Sequence, residues 1–340
     1  MKHRYVLAAG LAVTSIALGL SAGDAWAWGS TGHRLIGRAA IAALPVEIPD
    51  FLRSASAMEA VGELAREPDR WKDSGKPHDQ DRDAAHFLDL GDDGRIFGGP
   101  SLAALPETRE AYDDALRAVG VDSWKGGYLP YAIIDGWQQL TKDLAYWRTD
   151  NAAASKVADP VHRAWFAADR TAREALVLRD LGVLAHYVGD GGQPLHVTVH
   201  FNGWGSGPNP SGYTTDRIHG PFEGALVRRS VGQTQVATAM APYTDCGCDV
   251  AHWTAAYLAA TAGQVVPLYQ LWKDGGFVAG NPRGGAFATA RLGASASALR
   301  DAVVDAWRAS AGSRVGWPAV SVADVEAGRV DPYDSLYGTD

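Results

Sequence analysis

The residue types best suited to chemistry gather between positions 184 and 196, where the chain reads LAHYVGDGGQPLH. His186, Asp190 and His196 put three metal-capable side chains within eleven residues. His186 and Asp190 are four apart, so on a helix they share one face. The preceding run, EALVLRDLGVLAHY, has apolar residues at helical spacing and predicts that helix. Gly191, Gly192 and Pro194 are expected to loosen or kink it and let His196 point elsewhere. Two ligands aimed at one point, with a third displaced by a bend, suit a multinuclear site better than a single ion. A buried helix whose histidines are merely hydrogen-bonded would show the same short pattern, so the rest of the chain has to decide.

The chain that must position these groups has 340 residues, 46% hydrophobic and 21% charged, which is ordinary for a soluble globular protein with a large core. Residues 1–27 read as a secretory signal peptide rather than as part of that core. Lys2, His3 and Arg4 form a basic start, Val6 to Leu20 is nearly all apolar, and Ala25-Trp26-Ala27 supplies a small-x-small cleavage pattern. The expectation is an exported protein, periplasmic or secreted, beginning at Trp28. Removing Lys2, Arg4 and Asp24 leaves 29 basic against 38 acidic residues. An acidic protein is no general binder of phosphate backbones, so action on a phosphodiester would need a local cationic site. The two cysteines, Cys246 and Cys248, permit one small disulfide and exclude a cysteine zinc site.

Along the chain, a helix is predicted from near His33, capped by Ser30 or Thr31 and ended by Pro45 and Pro49, with another over residues 51–65. Residues 66–85 read as a polar surface loop leading into His86-Phe87-Leu88-Asp89 and a glycine-rich turn. Further helices are expected over 106–119, 131–146, 159–186 (whole or in two pieces), 221–231, 249–271 and 284–311. A Gly/Pro/Asn-rich insertion separates His196 from His219. No alternating strand pattern, repeat or second composition is evident. The reading is mainly α, a single multi-helix domain over residues 28–312 with long functional loops, and a C-terminal tail over 313–340 without clear period.

Nine histidines lie after residue 27, and five have recognisable settings: His33, His86, His186, His196 and His219. His219 and Glu223 repeat the i, i+4 pairing of His186 and Asp190, with Pro221 tolerable only at a helix start. Asp69 stands in the polar loop. Imidazole with carboxylate is chemistry suited to zinc, whereas calcium or magnesium would call for mostly oxygen. His78, His162, His200 and His252 read as ordinary surface or satisfied histidines.

The ordered series WGSTGHR, Asp69, HFLD, HYVGD-x-x-QPLH and H-x-x-x-E resembles the single-strand-specific zinc nucleases of fungi, plants and bacteria, and their structural relatives, the bacterial zinc-dependent phospholipases C. The likeness runs from residue 28 to about 230, and the helical remainder is compatible with it. It implies a mainly helical fold with three zinc ions. One would be held by Asp69, His86, His186 and Asp190, and a second by His196, His219 and Glu223. The third would be chelated by the α-amino nitrogen and carbonyl oxygen of Trp28 with His33, sharing Asp190. The short Trp28–His33 interval and the long insertion resemble the nuclease branch, while Glu223 stands where the phospholipases have Glu and the nucleases typically Asp. Lys72 sits where the nucleases place a phosphate-contacting arginine, keeping the charge without the bidentate fork.

The implied activity is hydrolysis of single-stranded DNA or RNA by metal-activated water, with Asp69 and Lys72 catalytic. Substrate contacts are expected from Lys72 and Asp89, and from Trp204 and Tyr213 in the insertion, whose rings would stack on unpaired bases. The alternatives are a phospholipase C acting on the headgroup of phosphatidylcholine-like lipids and a non-catalytic exported zinc-binding protein.

Overall fold

Helical periodicity and proline placement account for most of what forms. The computed structural model describes residues 28–205 and 207–338, so the proposed leader at 1–27 lies outside the described residues. Its longer helices are α1 (Gly29–Ala42), α2 (Ala55–Leu64), α3 (Arg109–Arg117), α4 (Leu129–Lys156), α5 (Pro160–Gly191), α6 (Val250–Ala262), α7 (Val265–Lys273) and α8 (Pro282–Ser310). The fold is mainly α-helical. The only sheet among the described residues is the two-stranded antiparallel pair β1 (Arg314–Val315) and β2 (Val320–Ser321). Among them no helix is long and apolar enough to cross a membrane.

The centre is the antiparallel pair α4 and α5, joined by a three-residue turn that leaves no choice but antiparallel neighbours. Asp159 caps α5 by accepting from the backbone N–H groups of Val161 and His162, and Pro160 occupies the first helical position, where its missing N–H costs nothing. From there α5 runs unbroken to Gly191, so the expected two pieces are one helix. Its buried Leu181, Leu184, Ala185 and Val188 share one core with Ile36 and Ala40 of α1, Ile133 and Leu140 of α4, and Leu292 and Leu299 of α8. Each such leucine, isoleucine or valine side chain contributes about 1.5–3 kcal/mol when fully buried. The C-terminal end of α5 is thereby sunk in the middle of the protein with its chemistry-bearing residues.

Several expected boundaries move. α1 starts at Gly29, with Trp28 in the left-handed region (φ 39°) ahead of it and no side-chain cap. Residues 66–85 are no loop: short helices Glu67–Arg70 and Lys76–Arg82 precede a 3-10 turn at Asp83–His86, each short helix opened by a proline in its first turn. Residues 221–231 begin with a π-helical turn, Pro221–Leu226, and residues 249–271 divide at Gly263. An unforeseen helix covers Gln233–Thr238. The tail is ordered against α4: Arg148 donates to the Glu326 carboxylate at 2.8 Å, and Val325 packs with Ala153 and Phe166. Cys246 and Cys248 form a disulfide.

Candidate metal centre

Five segments bring their donors to the end of α5. Within α5, the i, i+4 spacing puts His186 Nε2 3.2 Å from Asp190 Oδ2, both side chains wholly buried. Gly189 lies between them because a β-carbon there would stand 3.0 Å from His33 Nδ1. His33, from α1, fills that space, stacks on the His186 ring (centroids 4.1 Å apart, 17° between planes) and sets Nε2 3.4 Å from Asp190 Oδ1. Trp28 locks the start of α1 to the same place, donating its indole N–H to the Gly189 carbonyl at 2.8 Å. The Trp28 carbonyl accepts from Gly32 N–H at 3.2 Å.

Asp69 arrives on the Glu67–Arg70 helix and His86 at the end of the 3-10 turn. His86 Nδ1 lies 2.9 Å from His186 Nε2, 3.1 Å from Asp190 Oδ2 and 4.0 Å from Asp69 Oδ1. The HFLD and QPLH segments are stitched together, since Leu88 N–H donates to the His196 carbonyl at 2.8 Å and His196 Nδ1 donates to the His86 carbonyl at 2.6 Å. That second bond aims His196 Nε2 at His219 Nε2, 3.1 Å away, and at Glu223 Oε2, 3.7 Å away. His219 Nε2 and Glu223 Oε2 are 2.8 Å apart across the π-helical turn.

Three buried groups of donors therefore could each hold a metal ion: His33 with His186 and Asp190; Asp69 with His86 and His186; and His196 with His219 and Glu223. Within each group the ligand atoms lie within 4.8 Å of one another. The hydrogen bonds fix the tautomers that a metal needs. His186 Nδ1 donates to the Ala65 carbonyl at 2.8 Å, which turns Nε2 inward to face a metal once its proton is displaced, and His196 is oriented in the same way through Nδ1. Both ring nitrogens of His33, Asp190 Oδ1 and His219 Nδ1 are buried without a hydrogen-bond partner, which is costly for groups that nothing further satisfies.

Electrostatics agree. Burial alone would raise the Asp190 carboxyl, but His186 and His196 outweigh it and hold it well below its ordinary value. Burial would likewise raise Asp69 and Glu223, and the neighbouring cations win at both, His186 and Lys72 at Asp69 and His219 and His196 at Glu223. Burial pushes His86 down to about 4, whereas at His196 the Asp190 and Glu223 carboxylates overcome burial and lift it to about 9. Three buried carboxylates thus require positive charge, from protons on these histidines or from cations. Lys72 is kept cationic because Asp69, 2.8 Å from its Nζ, outweighs the effect of burial.

His86, His196 and His219 line a cleft of about 330 Å³ together with Lys72, Asp83, Phe87, Asp89, Lys125, Leu195 and Phe201, and the other donors lie buried behind them. Asp89 is placed at this rim, where burial raises its carboxyl to about 7 against the pull of Lys125. The expected stacking residues are not there. Trp204 and Tyr213 are 8% and 9% exposed. Trp204 is sandwiched on His200 (3.9 Å, 12°), with Tyr213 at 4.7 Å and Tyr269 edge-on at 5.1 Å. Their rings form the insertion's own small core, so open aromatic faces at these two positions are ruled out. Gly191 and Gly192 also differ from the flexible hinge expected of them. A β-carbon on Gly192 would meet Ser295 Oγ at 1.9 Å, and one on Gly191 would meet Tyr257 at 2.9 Å, so both are glycine for close packing.

Three residues had no role assigned from sequence. Buried Gln193 accepts from Leu195 N–H through Oε1 at 2.7 Å, which turns its amide N–H toward Glu223 Oε2 and His219 Nε2, each 3.2 Å away. Its place inside the ligand motif was the available signal. Lys125 and Phe201 reach the cleft only through the folding of the loops that carry them.

Compared with models of known protein families and with curated protein sequences, the chain matches none.

Proposed function

We propose that this chain is a zinc-dependent phosphodiesterase of the single-strand nuclease type, of the fold shared by those nucleases and the zinc-dependent phospholipases C, and exported after cleavage before Trp28. The observation that carries the reading is three buried histidine–carboxylate groups, two of them sharing His186, with His86, His196 and His219 opening onto one cleft. The donor set is imidazole and carboxylate without thiolate, which fits zinc, and the partnerless Asp190 Oδ1 and His33 nitrogens fit ligands better than structural groups. Asp69, His86, His186 and Asp190 would hold one ion, His196, His219 and Glu223 a second, and the Trp28 backbone with His33 and Asp190 a third. Zinc in such a site supplies water acidified toward neutrality and a Lewis acid for phosphoryl oxygens.

The protein's own contribution follows from the geometry. Asp69 stays a carboxylate, so it can orient the attacking water and take its proton. Lys72, held as a cation beside it, faces the cleft and offsets charge that builds on phosphate in the transition state. Phe87 and Leu195 keep part of the rim apolar and limit bulk water. Glu223 favours a second reading, a phospholipase C.

The test is hydrolysis of single-stranded DNA, RNA and phosphatidylcholine, side by side, by zinc-loaded chain beginning at Trp28. Faster turnover of either nucleic acid supports the proposal. Phosphatidylcholine as the better substrate makes it a lipase, and no turnover of any of the three leaves a zinc-binding protein without catalysis.

A further inference from the structure

Cys246 and Cys248 are the only cysteines in the chain, and their bond closes a ring around a single residue, Gly247. A disulfide supports a fold by restricting the unfolded chain, and it restricts least when the residues it joins are this close in sequence. The segment that carries it is anchored without it. Ahead of it, Ala241 N–H donates to Ser297 Oγ at 2.9 Å, the Ala241 carbonyl accepts from Arg300 at 2.8 Å, and Tyr243 Oη donates to Asp305 Oδ1 at 2.6 Å, all three partners on α8. Behind it, Asp249 caps α6 by accepting from His252 N–H at 2.9 Å. The bond therefore ties together nothing that is not already held, and both of its cysteines are exposed.

The two sulfurs are not equivalent. Cys248 N–H donates to Cys246 Sγ at 3.2 Å, a bond that strengthens when that sulfur becomes a thiolate. The better stabilised thiolate leaves faster, which makes Cys246 the leaving sulfur and Cys248 the one attacked. Both cysteines border a cavity of about 320 Å³ lined also by Trp137 of α4 and by Val250 and Trp253 of α6. Trp253 is held by stacking on Tyr257 (centroids 5.6 Å apart, 13° between planes), and Trp137 by donating its indole N–H to the Ala302 carbonyl at 3.0 Å. Asp245, Asp249 and Asp305 outnumber Arg308 around the same cavity. The apolar walls suit an apolar side chain beside a reacting cysteine, and the carboxylates favour a cationic neighbour over an anionic thiol such as glutathione.

We propose that Cys246 and Cys248 form a thiol–disulfide exchange site that oxidises a pair of cysteines in a polypeptide carrying apolar and basic side chains beside them. A partner thiolate attacks Cys248 Sγ. A sulfur–sulfur bond to the partner forms, the Cys246–Cys248 bond breaks, and its electron pair leaves on Cys246. The partner's second thiolate then attacks the partner sulfur of this mixed disulfide and releases Cys248. The partner is oxidised to a disulfide, the chain is reduced to two thiols, and the two protons lost by the partner end on Cys246 and Cys248. No group of the metal centre takes part, so the exchange stands apart from the phosphodiesterase reading.

The test uses the intact chain and a reduced peptide whose two cysteines are flanked by leucine and lysine, followed by alkylation and mass analysis. One peptide disulfide should form for each chain disulfide lost, about tenfold faster than with an equal concentration of oxidised glutathione, the gain expected from seating one apolar side chain. Trp253→Ala should remove that gain and leave the rate with 2-mercaptoethanol unchanged. Exchanging the peptide's lysines for glutamates should slow it at low salt and much less at high salt. A peptide with a single cysteine should be caught on Cys248, with Cys246 alkylated. The double variant Cys246→Ser, Cys248→Ser should melt within about 2 °C of the wild type, since the bond supports little of the fold. A peptide oxidised no faster than by glutathione, or equally fast by Trp253→Ala, would overturn the site. So would a double variant that melts far lower, which would make the bond a structural staple. An adduct on Cys246 would overturn the assignment of attacked and leaving sulfur.

Discussion

His186 Nε2 and His86 Nδ1 face each other at 2.9 Å in a buried setting, and His186 is held in that orientation because its Nδ1 donates to the Ala65 carbonyl. Two ring nitrogens at that distance need a proton or a cation between them. His186 also belongs to two of the three donor groups.

Purified chain beginning at Trp28 is expected to carry about three zinc ions, and His186→Ala to lose the ion it shares with Asp69, His86 and Asp190. The variant should also melt lower, because that ion ties the Asp69 and His86 segments to α5. Elemental analysis and a melting curve check this. A wild type holding at most one tight zinc, or a variant still holding three, would show the trinuclear assignment to be wrong.

Gln193 supports the third group from behind. With Oε1 fixed by Leu195, its amide donates toward Glu223 and His219, so Gln193→Ala should weaken metal there by about 10- to 100-fold without unfolding the chain. Competition with a graded chelator measures the affinity. An unchanged affinity would mean that packing of the π-helical turn alone orients Glu223.

A second buried carboxylate has no part in this site. Burial first, and then the neighbouring Asp169 carboxyl, lift Asp150 of α4 to about 8. A folded-state value above the unfolded one of about 4 means that Asp150 favours the fold most when protonated, below pH 4, and that this support is lost as pH rises toward 8. Asp150→Asn keeps the shape without the charge. It should match the wild type near pH 3 and gain on it steadily as pH rises, by several kcal/mol at pH 8. Urea denaturation at the two pH values decides, and equal stability at pH 8 would contradict the burial argument.

Gly192 tests the packing at the end of α5. Gly192→Ala forces a methyl group against Ser295 Oγ and Tyr257 Oη and should destabilise by about 1–3 kcal/mol. Adding Ser295→Ala removes the closest atom and should recover part of the loss. If the single variant is as stable as the wild type, the close approach is not real and the hinge expectation returns.

The chain's local patterns were informative where the physics is local. Apolar spacing announced α5, the i, i+4 rule placed His186 beside Asp190 and His219 beside Glu223, and donor types pointed to a borderline metal. Short helices at Glu67–Arg70 and Lys76–Arg82 were invisible because four to seven residues give too little periodicity to separate from a polar loop. What only tertiary structure decided is where residues far apart in sequence meet and which faces remain open. His33 reaches Asp190 because Gly189 leaves room for it, and Gln193 reaches Glu223 because the π-helical turn packs over the QPLH segment. Trp204 and Tyr213 read from composition as exposed loop aromatics. Their rings instead found His200 and Tyr269, and burying that apolar area outweighed leaving it in water, so the outward position at the cleft fell to Phe201.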